Sequence, residues 1–423
     1  MKQPLFIYDA IRTPFTRMGS SLASLSAADI GTSAVSSLLH SSGVDPARID
    51  EVIMGCVCQP VDSANIARVI ALRAGVPENV IASTVHRNCA SGMESITTAY
   101  ERMLAGRGEL FVVGGTESMS NAPFLYNSSA VKKFTKLSKS KSALQKISSL
   151  LKFRPKDFSP IVAIRLGLTD PVAGINMGQT AEILARQFKI SREEQDAFAA
   201  SSHTKALANL ELLKEEIHPI YHQGSAIICD NGIREDSTPE RLARLRPVFE
   251  KATGTVTAGN SSQITDGAAV LLVGSEAKGK ELGLEPIAKI NAYAYAGCDP
   301  KRMGIGPLHA MERLFAESDY NLGMADIIEI NEAFAAQVLA CVKAAPSDEL
   351  AQSIGLHKAL GEIPLEKLNA RGGSIALGHP VGASGARLVQ TAIHQLHQQN
   401  KQHALTSLCV GGGQGAAIWI EKI

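Results

Sequence analysis

What the chain lacks narrows it first. No apolar run approaches the roughly 18 residues that a membrane-spanning helix needs. Neither sign of charge is in excess: 42 Lys and Arg against 41 Asp and Glu leave +1 over 423 residues, which gives no reason to expect nucleic acid. Aromatic residues make up only 5% beside a hydrophobic content of 45%, an ordinary globular balance. Cysteine is sparse and odd in number: Cys56, Cys58, Cys89, Cys229, Cys298, Cys341 and Cys409. The opening residues turn acidic at Asp9, too soon for a secretory signal, and read as a first strand. A reducing compartment with free thiols follows, cytoplasmic or matrix-type after processing. Cys56 and Cys58 are the only close pair. They lack the spacing and the second pair that zinc favours, so they read as buried strand cysteines and no metal is expected.

Neither G-x-x-x-x-G-K-[ST] nor G-x-S-x-G is present. The run Gly411-Gly412-Gly413-Gln414-Gly415 resembles a dinucleotide fingerprint, but only eight residues follow it. No βαβ unit fits in that length, so no nucleotide or redox cofactor is expected.

What is present alternates between buried strands and helical patterns, which argues for an α/β fold. Residues 27–40 read as a helix, 50–57 as a strand, 92–104 as a helix and 110–115 as a strand. The second half repeats this syntax: 326–333 parallels the strand at 50, and 405–413 parallels the strand at 110. Asn88-Cys89-Ala90-Ser91-Gly92 leads into a helix between the first pair, and Gly382-Ala383-Ser384-Gly385 into one between the second. The chain thus reads as a duplicated α/β unit: 1–117 with 252–275, then 276–423, with a loop-rich cap inserted at 118–251. Within the cap, 178–189 and 191–213 read as helices, the second opened by a Ser191–Glu194 capping box.

Residues 131–156 of the cap are basic: Lys132, Lys133, Lys136, Lys139, Lys141, Lys146, Lys152, Arg154 and Lys156. Leu137, Leu144, Ile147, Leu150 and Leu151 interleave with them at helical spacing. One reading is a solvated amphipathic helix packed on its own domain. The other is a surface for anionic lipid, for phosphates or for a partner subunit.

Four turns carry groups with chemistry. Cys89 stands where a helix begins, so the helix dipole and free N–H groups are expected to lower its thiol pKa and to bind an oxyanion. Asn331, in Asn331-Glu332-Ala333-Phe334, follows a buried strand and can hold a water or orient an imidazole. His379 lies in the Gly/Pro-rich turn 372–385, a place for a base or an oxyanion donor. Cys409 ends a strand before glycines that expose a thiol and backbone N–H groups. Each also has a plain structural reading: a small core residue, a helix cap, a loop histidine, a glycine hairpin.

Taken together and in this order, these motifs resemble the thiolase family. The resemblance runs from Ile7-Tyr8-Asp9-Ala10-Ile11-Arg12-Thr13-Pro14 to the last strand, and Arg246-Pro247-Val248-Phe249 and the stretch 254–262 share in it. It implies two βαβαβαββ halves in a five-layered αβαβα arrangement with an inserted loop domain. It implies an acyltransferase in which Cys89 is the nucleophile and His379 activates it. His379 and a water on Asn331 would stabilise an enolate oxygen, and Cys409 would move the proton at carbon. The N–H groups of Cys89 and Gly411 would form a second oxyanion hole. Coenzyme A enters as substrate, with Arg234, Leu245, Ala258 and Ser262 as its expected contacts.

Asn176-Met177-Gly178 departs from the His-Met-Gly of many short-chain biosynthetic thiolases. The basic insert and residues 347–369 are closest to thiolase subunits of fatty-acid oxidation complexes. The expected activity is therefore a degradative 3-ketoacyl-CoA thiolase of β-oxidation. The alternatives are an acetoacetyl-CoA thiolase and an inactive thiolase-like binding protein. A homodimer or homotetramer is implied, with a β-oxidation partner or a membrane surface meeting 131–156.

Overall fold

A computed structural model describes residues 3–423. The chain forms two compact units: one runs to Asn121 and resumes over Asp170–Ile423, and the other is Ala122–Thr169.

The larger unit is built in two passes. The first contains β1 (Leu5–Arg12), α1 (Ala27–Ser42), β2 (Glu51–Gly55), α2 (Ile66–Arg73), β3 (Ile81–Val85), α3 (Ser91–Leu104) and β4 (Leu110–Ser118). It passes through α4 (Met177–Gln187) and α5 (Arg192–Ala208) and closes with β5 (Thr265–Gly274). The second pass contains β6 (Ala288–Gly297), α6 (Gly306–Ala316), β7 (Ile327–Ile330), α7 (Ala335–Ala344), α8 (Ser384–Gln398), β8 (His403–Val410) and β9 (Gln414–Lys422).

Hydrogen bonding orders the strands as β7-β8-β9-β6-β1-β5-β4-β2-β3, and the short strand Thr16–Arg17 adds to β5. Outward from the β1–β6 junction, the first pass runs β1, β5, β4, β2, β3. The second runs β6, β9, β8, β7, and then a single parallel bridge from Ile328 to Leu368. Strand directions match as well: β2 is parallel to β4 and β7 to β8, while β5 and β9 are antiparallel to their neighbours. The duplication expected from motif order is therefore a duplication of topology.

Alternation along the strands sorts the core into layers. Phe111 and Val113 of β4, and Ala416, Ile418 and Ile420 of β9, pack with Met93, Ile96 and Tyr100 of α3 and Leu388, Val389 and Leu396 of α8. Leu110 and Val112 face the opposite way, against α1 and α2. Ala417 and Trp419 face α6 and α7. Three apolar helix layers separated by two half-sheets make the five-layered αβαβα fold. Among the described residues no helix is long and apolar enough to cross a membrane.

The two middle helices cross at their first turns, where only glycine fits. A Cβ on Gly92 would stand 2.7 Å from the Ala386 nitrogen, and one on Gly385 would stand 2.7 Å from the Met93 nitrogen. Both are closer than real Cβ contacts come. Residues just before the two helices, the Cys89 turn and the His379 turn, are thereby brought to the same end of the layer.

The 178–189 and 191–213 helices are observed as α4 and as α5 followed by Leu210–Glu215. Ser191 and Glu194 form the expected box. Cys56 and Cys58 are corrected: β2 stops at Gly55, and both cysteines lie in the turn beyond it.

In the smaller unit, the basic stretch is not one helix but two, Ser128–Ser138 and Ala143–Leu150. Lys139-Ser140-Lys141-Ser142 interrupts them, because serine competes for backbone hydrogen bonds. Ser142 then caps the second helix by accepting the Gln145 N–H. Phe134 holds the unit together, with ring centroids 5.2 Å from Tyr126 and 4.8 Å from Phe153. Buried Asp157 accepts from Lys133 Nζ at 2.6 Å and from the Arg154 N–H at 2.7 Å.

Candidate active site

Cys89 sits in the turn between β3 and α3. Asn88 before it adopts left-handed backbone, φ +43°, a conformation asparagine tolerates better than most residues. Ser91 locks the turn: the Arg87 N–H donates to its Oγ at 2.9 Å, and that hydroxyl donates to the Asn88 carbonyl at 2.7 Å. Two backbone N–H groups face the Cys89 sulfur, its own and that of Gly411. The Gly411 residue is held in turn by Asn88, whose Nδ2 donates to its carbonyl at 2.8 Å.

The expected lowering of the Cys89 pKa is corrected. Burial raises the thiol above its ordinary value and outweighs the two N–H groups that favour the thiolate, and the nearby carboxyl of Glu117 raises it further. The helix that follows is capped at Ala90, one residue beyond Cys89.

Cys409 is the penultimate residue of β8, opposite Gly415 in the ladder. Its neighbours Leu408 and Val410 face the central layer. Cys409 points the other way, among Val256, Met303, Phe334 and Met177. Burial first, and then the charge of Cys89, push its thiol well above the ordinary value. The two cysteines are thus electrostatic neighbours, and Cys409 is a protonated, acid-competent thiol at neutral pH.

His379 is fixed through both its backbone and its ring. Its N–H donates to the Gln263 carbonyl at 3.0 Å. Its Nδ1 lies 2.6 Å from Ser384 Oγ, and the Ser384 hydroxyl donates to the Pro380 carbonyl at 3.1 Å. With that single hydroxyl proton committed, the hydrogen-bond network assigns the ring proton to Nδ1 and leaves the lone pair on Nε2. Nε2 is buried and has no protein partner among the described residues. Burial first, and then the Arg387 cation, push the imidazole down to about 4, so it is neutral at pH 7.

The His379 turn is tied to the first half by Glu117, at the end of β4. Its carboxyl accepts the Gly382 N–H at 2.9 Å, the Val57 N–H at 3.1 Å and the Cys58 N–H at 2.7 Å. Burial raises Glu117 to about 7 against these three donors.

Asn331 follows β7 and is fully buried. Its N–H donates to the Ser407 carbonyl at 3.0 Å. Its Oδ1 accepts from Ser374 Oγ at 2.6 Å, and that oxygen accepts from Arg387 Nη2 at 3.2 Å. The side-chain oxygen is therefore occupied, while Nδ2 is buried without a partner among the described residues. A buried unmade donor costs about 1–3 kcal/mol, a cost that a bound water or substrate oxygen removes.

Of the expected coenzyme A contacts, Arg234, Leu245 and Ala258 line a single cavity of about 270 Å³, together with Arg17, Arg241 and Gln263. Ser262 is not on its wall; its N–H is spent on the Ala333 carbonyl at 3.0 Å. The next residue, Gln263, lines the cavity, and its carbonyl receives the His379 N–H. One residue thus spans the cavity and the histidine turn.

Asn88, Glu117, Ser374, Ser384 and Gln263 were not singled out from sequence. Only Glu117 left a signal, as a carboxylate in a strand that opens with the apolar run Leu110-Phe111-Val112-Val113. The others act through contacts that residue type does not announce.

The chain is similar to known proteins over nearly its whole length. The family model for the thiolase N-terminal domain matches residues 5–277, and that for the C-terminal domain matches 284–422. A probable acetyl-CoA acyltransferase of Staphylococcus aureus (strain COL) is 40% identical over 421 residues, 98% of each chain. The crystal structure of the Bacillus anthracis acetyl-CoA acetyltransferase superposes with a TM-score of 0.86 at 36% identity, covering 100% of this chain and 99% of that one. Human mitochondrial 3-ketoacyl-CoA thiolase in complex with CoA gives 0.85 at 34% identity, covering 100% and 98%. With both domain models matched end to end and the duplicated topology in place, the chain belongs to the thiolase family of acyltransferases.

Proposed function

We propose that this protein is a 3-ketoacyl-CoA thiolase that cleaves its substrate to acetyl-CoA and a shortened acyl-CoA, as in fatty-acid β-oxidation. The observation that carries this reading is the convergence of the Cys89 and Gly411 N–H groups on the Cys89 sulfur beside a second, protonated thiol at Cys409.

In this reading His379 Nε2 takes the Cys89 proton and the sulfur attacks the 3-keto carbon. The bond between carbons 2 and 3 breaks, its electron pair passing to the enolate of acetyl-CoA, and the acyl group remains as a thioester on Cys89. The enolate oxygen is stabilised by the imidazolium now carrying Nε2–H, and by a water on Asn331 Nδ2. Cys409 supplies the proton at carbon 2. In the second step the coenzyme A thiol gives its proton to the Cys409 thiolate and its sulfur attacks the thioester; the N–H groups of Cys89 and Gly411 hold the oxyanion, and the Cys89 sulfur leaves and recovers its proton from His379 Nε2. Splitting one transfer into two steps lowers each barrier, and fixed N–H donors act where charge develops. Coenzyme A is a substrate here, and the cavity cations Arg17, Arg234 and Arg241 suit its phosphates.

Two observations favour longer substrates over acetoacetyl-CoA alone. Asn176 is used as the cap of α4, accepting the Gly178 N–H at 2.9 Å. The surroundings of Cys409 are apolar, with Met177, Phe249 and Phe334. The likeness to the Bacillus anthracis acetyl-CoA acetyltransferase keeps acetoacetyl-CoA thiolysis as the second reading. A homodimer fits the open edge of the sheet, where Ile81 of β3 is 61% exposed.

A thiolysis profile across 3-ketoacyl-CoA chain lengths tests the choice. The expected result is a kcat/KM that rises from acetoacetyl-CoA into medium chains. Turnover confined to acetoacetyl-CoA overturns it in favour of the second reading.

A further inference from the structure

Within the thiolase reading, on which this rests, we propose that Ser374, backed by the buried guanidinium of Arg387, is the positioning residue that fixes which end of the Asn331 amide faces the substrate.

Alternation along β7 places the groups. Ile328 and Ile330 face α6 and α7, while Ile327 faces the central layer with α3 and α8. Glu329 and Asn331 share the parity of Ile327, so both turn toward α8. Both are fully buried. Arg387, near the start of α8, is buried beside them. Its Nη1 donates to Glu329 Oε2 at 3.2 Å, and Gln395 Nε2 donates to Glu329 Oε1 at 2.7 Å. Both carboxyl oxygens thus meet donors, which favours the carboxylate, although burial pushes Glu329 up to about 7.

The orientation of the amide follows from counting protons. Ser374 opens the short helix Ser374–Leu377. Arg387 Nη2 reaches its Oγ at 3.2 Å, and a guanidinium can only donate. The hydroxyl must place its own proton elsewhere. Its one other partner among the described residues is the Asn331 side chain, at 2.6 Å. The Asn331 atom that meets it has to be an acceptor, which is Oδ1 and not Nδ2. A reversed amide would leave the Ser374 hydroxyl between two donors with its proton unplaced. Nδ2 is thereby turned away from Ser374, buried and without a partner among the described residues. There it is free to hold the water that meets an enolate oxygen. A reversed amide would put a carbonyl oxygen in its place and repel that charge. The cation at the head of the chain also polarises the hydroxyl and the amide, which makes Nδ2 a stronger donor.

The enolate oxygen is the charge that this chain serves. Acyl transfer between acetyl-CoA and Cys89 develops its charge at the Cys89 and Gly411 N–H pair instead. The two steps therefore separate a positioning role from a general structural one.

The test uses the full chain at pH 8, above the Glu329 value, with two readouts from acetyl-CoA. Mass spectrometry follows acetylation of Cys89, and NMR follows exchange of the acetyl methyl protons with solvent. Ser374→Ala should slow exchange by about tenfold, the loss of one buried hydrogen bond, while acetylation of Cys89 stays close to the unmutated rate. Arg387→Met with Glu329→Gln removes both charges of the ion pair and lets the Ser374 hydroxyl accept from Nδ2. The ratio of exchange to acetylation should fall there too. Asn331→Ala should make Ser374→Ala silent, because the serine acts through the amide, so the double variant should exchange as fast as Asn331→Ala alone. Unchanged exchange in Ser374→Ala overturns the proposal. So does equal loss of exchange and acetylation, or a further loss when Ser374→Ala is added to Asn331→Ala. An unchanged ratio in the Arg387 variant overturns the part given to the guanidinium. An unmutated chain that neither acetylates nor exchanges would instead overturn the thiolase reading, and the positioning role with it.

Discussion

The side-chain amide of Asn88 donates to the carbonyl of Gly411 at 2.8 Å, joining the Cys89 turn to a turn 323 residues away. On the other face of this junction the Gly411 N–H meets the Cys89 sulfur. Asn88 thus acts as a positioning residue for the anion-binding N–H pair. Arg87 reinforces the junction, donating to Gln414 Oε1 at 3.1 Å and stacking over the Tyr295 ring at 4.2 Å.

The first prediction concerns the Cys89 thiol. Burial holds its pKa above the ordinary value, so alkylation by iodoacetamide should keep accelerating as pH rises beyond 9. Asn88→Gly keeps the left-handed turn available but removes the amide grip on Gly411. It should displace the alkylation profile to still higher pH, because the thiolate loses a donor. A plateau below pH 7 in the unmutated enzyme would indicate a resident thiolate and contradict the burial argument. An unshifted profile in Asn88→Gly would reduce Asn88 to a structural role.

A second prediction separates the two cysteines. Cys409→Ala should still form an acyl-enzyme from acetyl-CoA while exchange of the acetyl methyl protons with solvent falls by at least 100-fold, the usual scale of a lost acid–base group. Mass spectrometry reads the first and deuterium uptake by NMR the second. Equal loss of both would end the division of labour.

Ser384 fixes the tautomer of His379, and its hydroxyl is the only partner of Nδ1 among the described residues. Ser384→Ala should lower kcat by about tenfold, the cost of one buried hydrogen bond of about 1.4 kcal/mol, with KM for coenzyme A unchanged. Ser384→Thr should restore most of it. A change confined to KM would place Ser384 outside the chemistry.

Glu117 makes a prediction about stability. Its folded pKa of about 7 lies above the carboxyl's ordinary 4.5. The folded state therefore binds the proton more tightly than the unfolded state, and this group's stabilisation is full below pH 4.5. It is lost as pH rises through about 7, a span of about 3 kcal/mol. The Tm of Glu117→Gln relative to the unmutated protein should accordingly improve from pH 5 to pH 8. A difference independent of pH would show that the carboxyl has the same pKa folded and unfolded.

Much of this was legible in the sequence because the signals are local. Strand 110–115 reads from six consecutive apolar or small residues, the Ser191–Glu194 box from its spacing, and the Cys89 and His379 turns from their glycines. The duplicated half-sheets read from motif order. What stayed hidden depends on distance. Glu117 binds a turn 265 residues away, and no periodicity reports that. The direction of the Cys89 shift turned on how deeply the thiol is buried, which the helix start alone does not reveal. Gln263, which lines the cavity beside the expected contacts, has no residue-type signal that sets it apart. The basic stretch was correctly apolar and cationic, but its break at 139–142 and its outward leucines are tertiary facts.

The account rests on Cys89 as the group that carries the acyl chain. Its most direct test is intact-protein mass spectrometry after incubation with acetyl-CoA, followed by peptide mapping. The account predicts one acetyl group on Cys89, removed on addition of coenzyme A and absent from Cys89→Ala. No adduct on the unmutated protein, or an adduct that persists in Cys89→Ala, would contradict it.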